Sequence, residues 1–354
     1  MNSWKTNFEE TKTRYLDWWQ GRGIVLSMWE HLYKDGAPHE AVPAPPPPRD
    51  LQQQWFDPQW RADNLHYQLS RSSFKADILP VANTQLGPGS LAAILGAELE
   101  GREDTIWIRE QEGWDGNVVL DPHNPWWKLH QDLLTACVQK SQGRYLVGCP
   151  DLVEGLDVLA GLKGPDNVMI DMIMDPDGTL RQLQQINDAW FKVFDRIYEI
   201  IQQDGEMAFC YFSLWAPGTT AKLQVDLSIM IGEDDFRTFA LPFLREQTER
   251  IDYSLYHLDG VDAIRHLDAL LELEQLNAIQ WTPGYGQPQG GDPCWYDLYR
   301  RILAAGKSVM LNWVQLDELE PLIQAVGNQG LHINVDFKNE AEIDKALAIL
   351  QPYR

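Results

Sequence analysis

Eight short apolar runs bounded by turn residues recur along the chain with segments of helical period between them, and this alternation constrains the fold more than any single motif. The runs lie at 24–28, 77–81, 145–148, 207–212, 252–257, 277–281, 307–311 and 331–335. The amphipathic segments fall at about 126–140, 151–162, 179–204, 233–249, 262–274, 295–305, 316–326 and 339–350. Strand then helix, repeated, means parallel pairing with helices packed outside, and eight right-handed units close into a (β/α)8 barrel. The expectation is an α/β chain forming one TIM-barrel domain over 1–354, regular in its second half and elaborated in its first. The elaborations are a proline-rich loop at 41–48 and an inserted hairpin at 105–120, where Thr105–Ile108 and Asn117–Leu120 alternate around Gly113 and Gly116.

Charge narrows the partners. With 29 Lys and Arg against 52 Asp and Glu, the net charge is -23, which repels a phosphate backbone and argues against nucleic acid. No window approaches the ~20 consecutive apolar residues of a membrane span, and the start, Met1-Asn2-Ser3-Trp4-Lys5, lacks the apolar core of a signal peptide. A cytoplasmic location and no membrane partner are therefore expected, with the oligomeric state open and a homodimer compatible. The four cysteines, Cys137, Cys149, Cys210 and Cys294, form no CxxC pair, so neither a zinc ribbon nor a disulfide framework is indicated.

The densest chemistry is Tyr256-His257-Leu258-Asp259-Gly260, at the end of an alternating apolar run. An imidazole and a carboxylate at the carboxyl end of a barrel strand, released by a glycine, lie where active-site loops gather. Glu30 and His31 follow the first run immediately and add a second carboxylate and imidazole, enough for proton transfer or a metal shell. His31 facing outward, with only Glu30 at the mouth, is the plainer alternative. The chain holds 15 Trp, and Trp29, Trp215, Trp281 and Trp313 sit where strand ends are expected. Indole faces there would make a wall for an organic small molecule, including a methylated ammonium through cation-π attraction. Asp226, shortly before a helical run, reads as a cap.

Two stretches carry a family resemblance. Asp226-Leu227-Ser228-Ile229-Met230-Ile231 with the following Phe236 to Leu244 is one, and His257 to Gly260 with Leu267, Leu270, Leu271 and Ala278-Ile279-Gln280-Trp281 is the other. Asp77-Ile78-Leu79 with Leu86-Gly87 adds weaker likeness. From about residue 70 onward the chain resembles the uroporphyrinogen decarboxylase superfamily, which also contains cobamide-dependent methyltransferases. The decarboxylases carry arginines on the first barrel loop for a polycarboxylated substrate, whereas Met28-Trp29-Glu30-His31-Leu32-Tyr33 offers an acid and no arginine. The family's catalytic aspartate maps to Asp77 by its tripeptide, or to Asn83 by strand position.

The methyltransferases bind zinc through a His-x-Cys pair and a distant Cys. Here His257-Leu258-Asp259 puts a carboxylate in place of the thiolate, and the distant segment offers Asp336. The resemblance thus implies zinc or another divalent metal on His257, Asp259 and Asp336, and a corrinoid carried by a partner protein; a metal-free acid/base pair is the alternative. The expected function is methyltransferase-like, with His257, Asp259, Glu30 and Asp77 catalytic and Trp29, His31, Asn83, Trp215, Trp281 and Trp313 binding substrate. Uroporphyrinogen decarboxylation, and a small-molecule or carbohydrate-binding barrel without this chemistry, are the alternatives.

Overall fold

The computed structural model describes residues 3–29, 32–110 and 113–354. In chain order the strands are β1 (Ile24–Ser27), β2 (Val81–Ala82), β3 (Glu98–Gly101), β4 (Ile106–Arg109), β5 (Leu146–Cys149), β6 (Met207–Phe209), β7 (Leu214–Ala216), β8 (Thr220–Leu223), β9 (Tyr253–Asp259), β10 (Ala278–Thr282), β11 (Ser308–Val314) and β12 (Leu331–Val335). Six of them form a parallel sheet in the order β1-β12-β11-β10-β9-β8. A second sheet runs β2-β5-β6-β7, parallel except for its last pair. At one junction, Asp77 donates its backbone N–H to Leu26 O at 2.9 Å and takes the Leu26 N–H on its own Oδ2 at 2.9 Å. At the other, Thr220 N lies 3.3 Å from Met207 Sδ. No strand ladder joins the two sheets among the described residues.

The intervening helices form for local reasons. Pro176–Ile201 opens with Pro in its first turn and the Asp175 carboxylate accepting from Gly178 N, then buries Leu183, Ile186, Trp190, Phe194, Ile197 and Ile201 along one stripe. Pro125–Ser141 is capped by Asn124, which accepts from Trp126 N and Trp127 N. Among the described residues no helix is long and apolar enough to cross a membrane.

Three differences from the sequence expectation have physical causes. The run at 77–81 is strand only at Val81–Ala82, because Asp77 leaves the ladder to bond β1 through its side chain. The antiparallel hairpin pairs Glu98–Gly101 with Ile106–Arg109, and Asn117–Leu120 is not a strand; Asn117 is instead drawn into a turn by Asp115, which accepts from both its backbone and side-chain nitrogens. Thr220–Leu223, not among the expected runs, completes the six-stranded sheet beside β9.

The N-terminal helix Phe8–Trp19 lies across the strands' amino ends. Trp18 Nε1 donates to Val309 O at 3.3 Å, Trp19 Nε1 to Trp215 O at 3.0 Å, and Tyr15 Oη to Ser213 O at 3.2 Å. Trp18 and Tyr15 are fully buried edge-on against His332 in β12. Truncating a buried aromatic of this kind costs ~3–5 kcal/mol, so this helix contributes a sealed amino-end core.

Candidate functional site

The ladder sets which side chains share an interior. His257 stands opposite Gln280, Gln280 opposite Met310, Met310 opposite His332, and His332 opposite Val25. Residues in register project to the same side of a sheet, so the next inward row toward the carboxyl ends holds Asp259, Thr282, Asn334 and Ser27. β9 ends at Asp259, and Gly260 then turns the chain with φ +82°, a left-handed value that costs glycine nothing.

His257 is almost wholly buried, and its tautomer follows from its neighbour. Gln280 donates its Nε2 to Trp281 O at 2.6 Å and to Thr282 Oγ1 at 2.9 Å, which leaves its Oε1 to accept from His257 Nδ1. The proton is thereby assigned to Nδ1 and Nε2 is left bare. Nε2 faces Asp259 Oδ2 at 3.6 Å, too far for a direct hydrogen bond and close enough for the carboxylate to stabilise an imidazolium.

A second polar chain runs beside it. Lys222, on β8, forms a buried ion pair with Asp151 at 2.5 Å and also donates to Gln224 Oε1. Gln224 passes its Nε2 to Asp226 Oδ1 and its backbone N–H to Glu154 Oε2. Asp157 accepts from Asp226 N at 2.7 Å and Leu227 N at 2.9 Å. Burial, reinforced by the adjacent Asp226 carboxylate, raises the Asp157 carboxyl to about 8. Burial also pushes Glu154 well above the usual carboxyl range, against the pull of Lys222. Removing either partner of a buried ion pair while leaving the other typically costs ~3–5 kcal/mol.

Lys222, Asp151, Gln224 and Gln280 are not among the residues expected from the sequence. For Lys222 and Gln224 the signal is the alternation Ala221-Lys222-Leu223-Gln224-Val225-Asp226, in which every second residue of an apolar strand is polar, as a strand facing a polar interior requires.

Aromatic rings close over this region. Trp29 stacks on Trp313 at 4.8 Å and packs edge-on against Tyr211 and Phe212 at 5.1 and 5.0 Å. Phe212 and Tyr211 in turn contact the His257 ring at 5.3 and 6.2 Å. Trp29 and Trp313 are thus gathered with His257 through Tyr211 and Phe212. Trp313 reaches this position from a bulge in β11, with φ +54°.

Other expected residues lie elsewhere. Trp215 is buried toward the amino end, donating to Glu206 Oε2 at 3.0 Å and packed by Phe8 and Tyr15, because the reversal into β7 carries it away from the mouth. Trp281 alternates out of the interior between Gln280 and Thr282 and packs on Trp295 at 5.0 Å. Asp77 is fully buried in a cluster of its own, paired with Arg14 at 2.5 Å and Arg354 at 2.7 Å. Asn83 is exposed, bonded to Gln85 N at 3.1 Å. Glu30 and His31 lie outside the described residues.

The donors for the metal that the resemblance implies do not come together among the described residues. His257 and Asp259 supply two, Asp336 is paired with Lys338 and lines a separate small hollow under Trp29 and Trp313, and among the described residues no group of three His, Cys, Asp or Glu is close enough to hold an ion. The cysteines supply no thiolate either. Burial raises Cys137 and Cys210 to about 12 and Cys149 well above the usual range, and the exposed Cys294 is raised to about 11.

With this geometry in place, comparison with known proteins gives one kind of answer. No family model and no curated protein matches the sequence. A methyltransferase from Methanosarcina mazei shares the fold, with a TM-score of 0.57 at 13% identity over 96% of this chain and 97% of that one. At this identity the likeness concerns the backbone.

Proposed function

We propose that this chain is a methyltransferase-like enzyme acting on a small organic molecule, a divergent member of the uroporphyrinogen decarboxylase superfamily whose two sheets are facing arcs of one (β/α)8 barrel. The observation that carries the reading is the His257 imidazole, with its proton fixed on Nδ1 by Gln280 and its bare Nε2 beside Asp259 at the strands' carboxyl end. The shared fold with a methyltransferase over nearly the whole of both chains supports it.

In this mechanism Nε2 takes the proton of an acceptor X–H as the X–CH3 bond forms, and the bond between the methyl group and its donor breaks with the electron pair leaving on the donor. Asp259 stabilises the imidazolium, and the Trp29, Trp313, Tyr211 and Phe212 roof keeps water from competing as acceptor. The donor is a second substrate, for which the resemblance implies a corrinoid on a separate protein. Lys222 already has its counter-charge in Asp151, and buried Arg61 is held by the Trp55, Asn83 and Gln85 carbonyls, so neither is poised for a polycarboxylated tetrapyrrole, which weighs against decarboxylation.

Incubating the protein with methylcobalamin and a panel of small thiols and amines tests the reading. Loss of the methyl-corrinoid absorbance matched by methylated acceptor is the expected result. No methyl loss with any acceptor, in protein whose circular dichroism shows it folded, would remove it.

A further inference from the structure

Next to the His257 turn lies a hollow of about 350 Å³ with its own character. Its walls include Ile108 from the β3–β4 hairpin, Val153, Leu227 and Met230, and its charged lining residues are both acids, Asp157 and Asp226. Its position beside the catalytic turn follows from Ile229, another lining residue, whose Cγ2 stands 3.9 Å from where a Cβ on Gly260 would lie. The shape of the hollow depends on close packing of the hairpin. A Cβ on Gly89 would come within 1.8 Å of Ile108 Cδ1, and one on Gly161 within 2.8 Å of Ala92.

The two acids are differently engaged. Both Asp157 oxygens accept backbone N–H groups, whereas Asp226 takes Gln224 on Oδ1 and its Oδ2 has no hydrogen-bond partner among the described residues. Lys222, joined to Asp226 through Gln224, is engaged by Asp151 and Gln224 and does not line the hollow. Beside Val153 of the same wall, buried Glu154 leaves its Oε1 without a hydrogen-bond partner among the described residues. An apolar hollow of this size, open to solvent along Ile229 and Met230, can take a small organic ligand, and an unneutralised carboxylate at its edge selects a positive one.

Building on the methyl-transfer reading, we propose that this hollow is the site of the methyl acceptor and that its ligand is a small alkylated ammonium that retains an N–H, the proton it gives to His257 Nε2, its alkyl groups against Ile108, Val153, Leu227 and Met230 and its charge facing Asp226. An ammonium bearing methyl groups needs no hydrogen-bond donors from the wall, and the described lining residues present apolar surface and carboxylates.

Isothermal calorimetry on the full chain with three probes of one shape tests this: choline, the neutral isostere 3,3-dimethylbutan-1-ol, and the anion 3,3-dimethylbutyrate. Choline is expected to bind saturably and at least about tenfold more tightly than the alcohol, with no binding of the anion. Asp226→Asn, an exposed position that keeps an acceptor for Gln224, should weaken choline by about tenfold and leave the alcohol unchanged. Ala160→Phe, which fills the hollow, should abolish both. Equal binding of choline and alcohol, choline binding insensitive to both variants, or no binding of choline would each overturn the proposal. Because His257→Ala should retain choline affinity, binding without turnover would sink the methyl-transfer reading alone, and turnover without choline binding would sink this assignment alone.

Discussion

The two ends of the strands bury charge in opposite ways. At the amino end, Asp77 receives Arg14, Arg354, Thr11 and the Leu26 N–H, and the Phe8–Trp19 helix seals the region with Tyr15 and Trp18. At the carboxyl end, the Lys222–Asp151 pair and His257 adjoin a hollow, and Glu154 Oε1, Asn312 Nδ2 and Asn334 Oδ1 have no hydrogen-bond partner among the described residues; His332 Nδ1 and Nε2 and Thr220 Oγ1 are likewise without one toward the amino end, but beneath the sealing helix and with no hollow beside them. A satisfied ion cluster under aromatic cover is what stability requires, whereas unsatisfied buried polar groups cost free energy and persist where a ligand can complete them. The contrast teaches that neither charge burial nor an unpartnered polar atom alone marks a site; the two together beside an accessible hollow do.

The comparison breaks most readily at Asp77. Asp77→Ala strands two guanidinium groups and is expected to lose ~3–5 kcal/mol in urea unfolding, while the turnover of the protein that remains folded is unchanged. A loss of turnover without loss of stability would move Asp77 into the chemistry. Lys222→Met should be similarly destabilising, by ~3–5 kcal/mol, because it leaves Asp151 buried and unpaired. The double variant Lys222→Met/Asp151→Leu should recover most of that stability yet stay inactive, since an apolar pair packs well but no longer holds Gln224 and, through it, Asp226 at the edge of the hollow. Recovery of both would make this pair as structural as the amino-end cluster.

A pH-dependent effect separates the ends as well. Asp157 is raised from an ordinary 3.8 to about 8 by burial and by Asp226, so the folded state holds its proton more tightly than the unfolded chain does. Stability from this group is complete below about pH 4 and is lost as pH rises through about 8. Thermal melts of Asp157→Asn against wild type should therefore diverge in favour of the variant across that interval and run parallel above it. A difference that does not change with pH would contradict the assigned burial. The smallest change is expected at the roof: Trp313→Ala forfeits the stacked pair with Trp29, worth ~0.5–1.5 kcal/mol, and should raise KM more than it lowers stability.

How much of this was legible in the sequence follows the same division. The regular second half, from 253 to 335, reads directly because β9 to β12 are apolar runs with turn residues between them, and the structure keeps each within one to three residues of its expected limits. The His257–Asp259 turn falls at the end of such a run, so its location was readable, and its tautomer was not, because Gln280 comes from a neighbouring strand in register. The N-terminal helix Phe8–Trp19 gave no clear periodic signal because its stripe is broad and mixed, burying Thr11 beside Tyr15 and Trp18. Trp215 misled because a tryptophan at a strand end looks the same whether the chain goes on to the mouth or reverses, and β7 reverses. Lys222 escaped attention because a lone lysine between Ala221 and Leu223 reads as a solvated edge until β8 is seen paired with β9.

The most direct measurement is the rate of methyl loss from methylcobalamin, with the best acceptor from the panel, for wild type and His257→Ala at matched folded concentration. If Nε2 is the base, the variant should fall by about 10²–10⁴-fold with unchanged circular dichroism, and added imidazole should restore part of the rate. A variant that turns over at the wild-type rate would contradict the account, and would place whatever chemistry this chain performs outside the His257 turn.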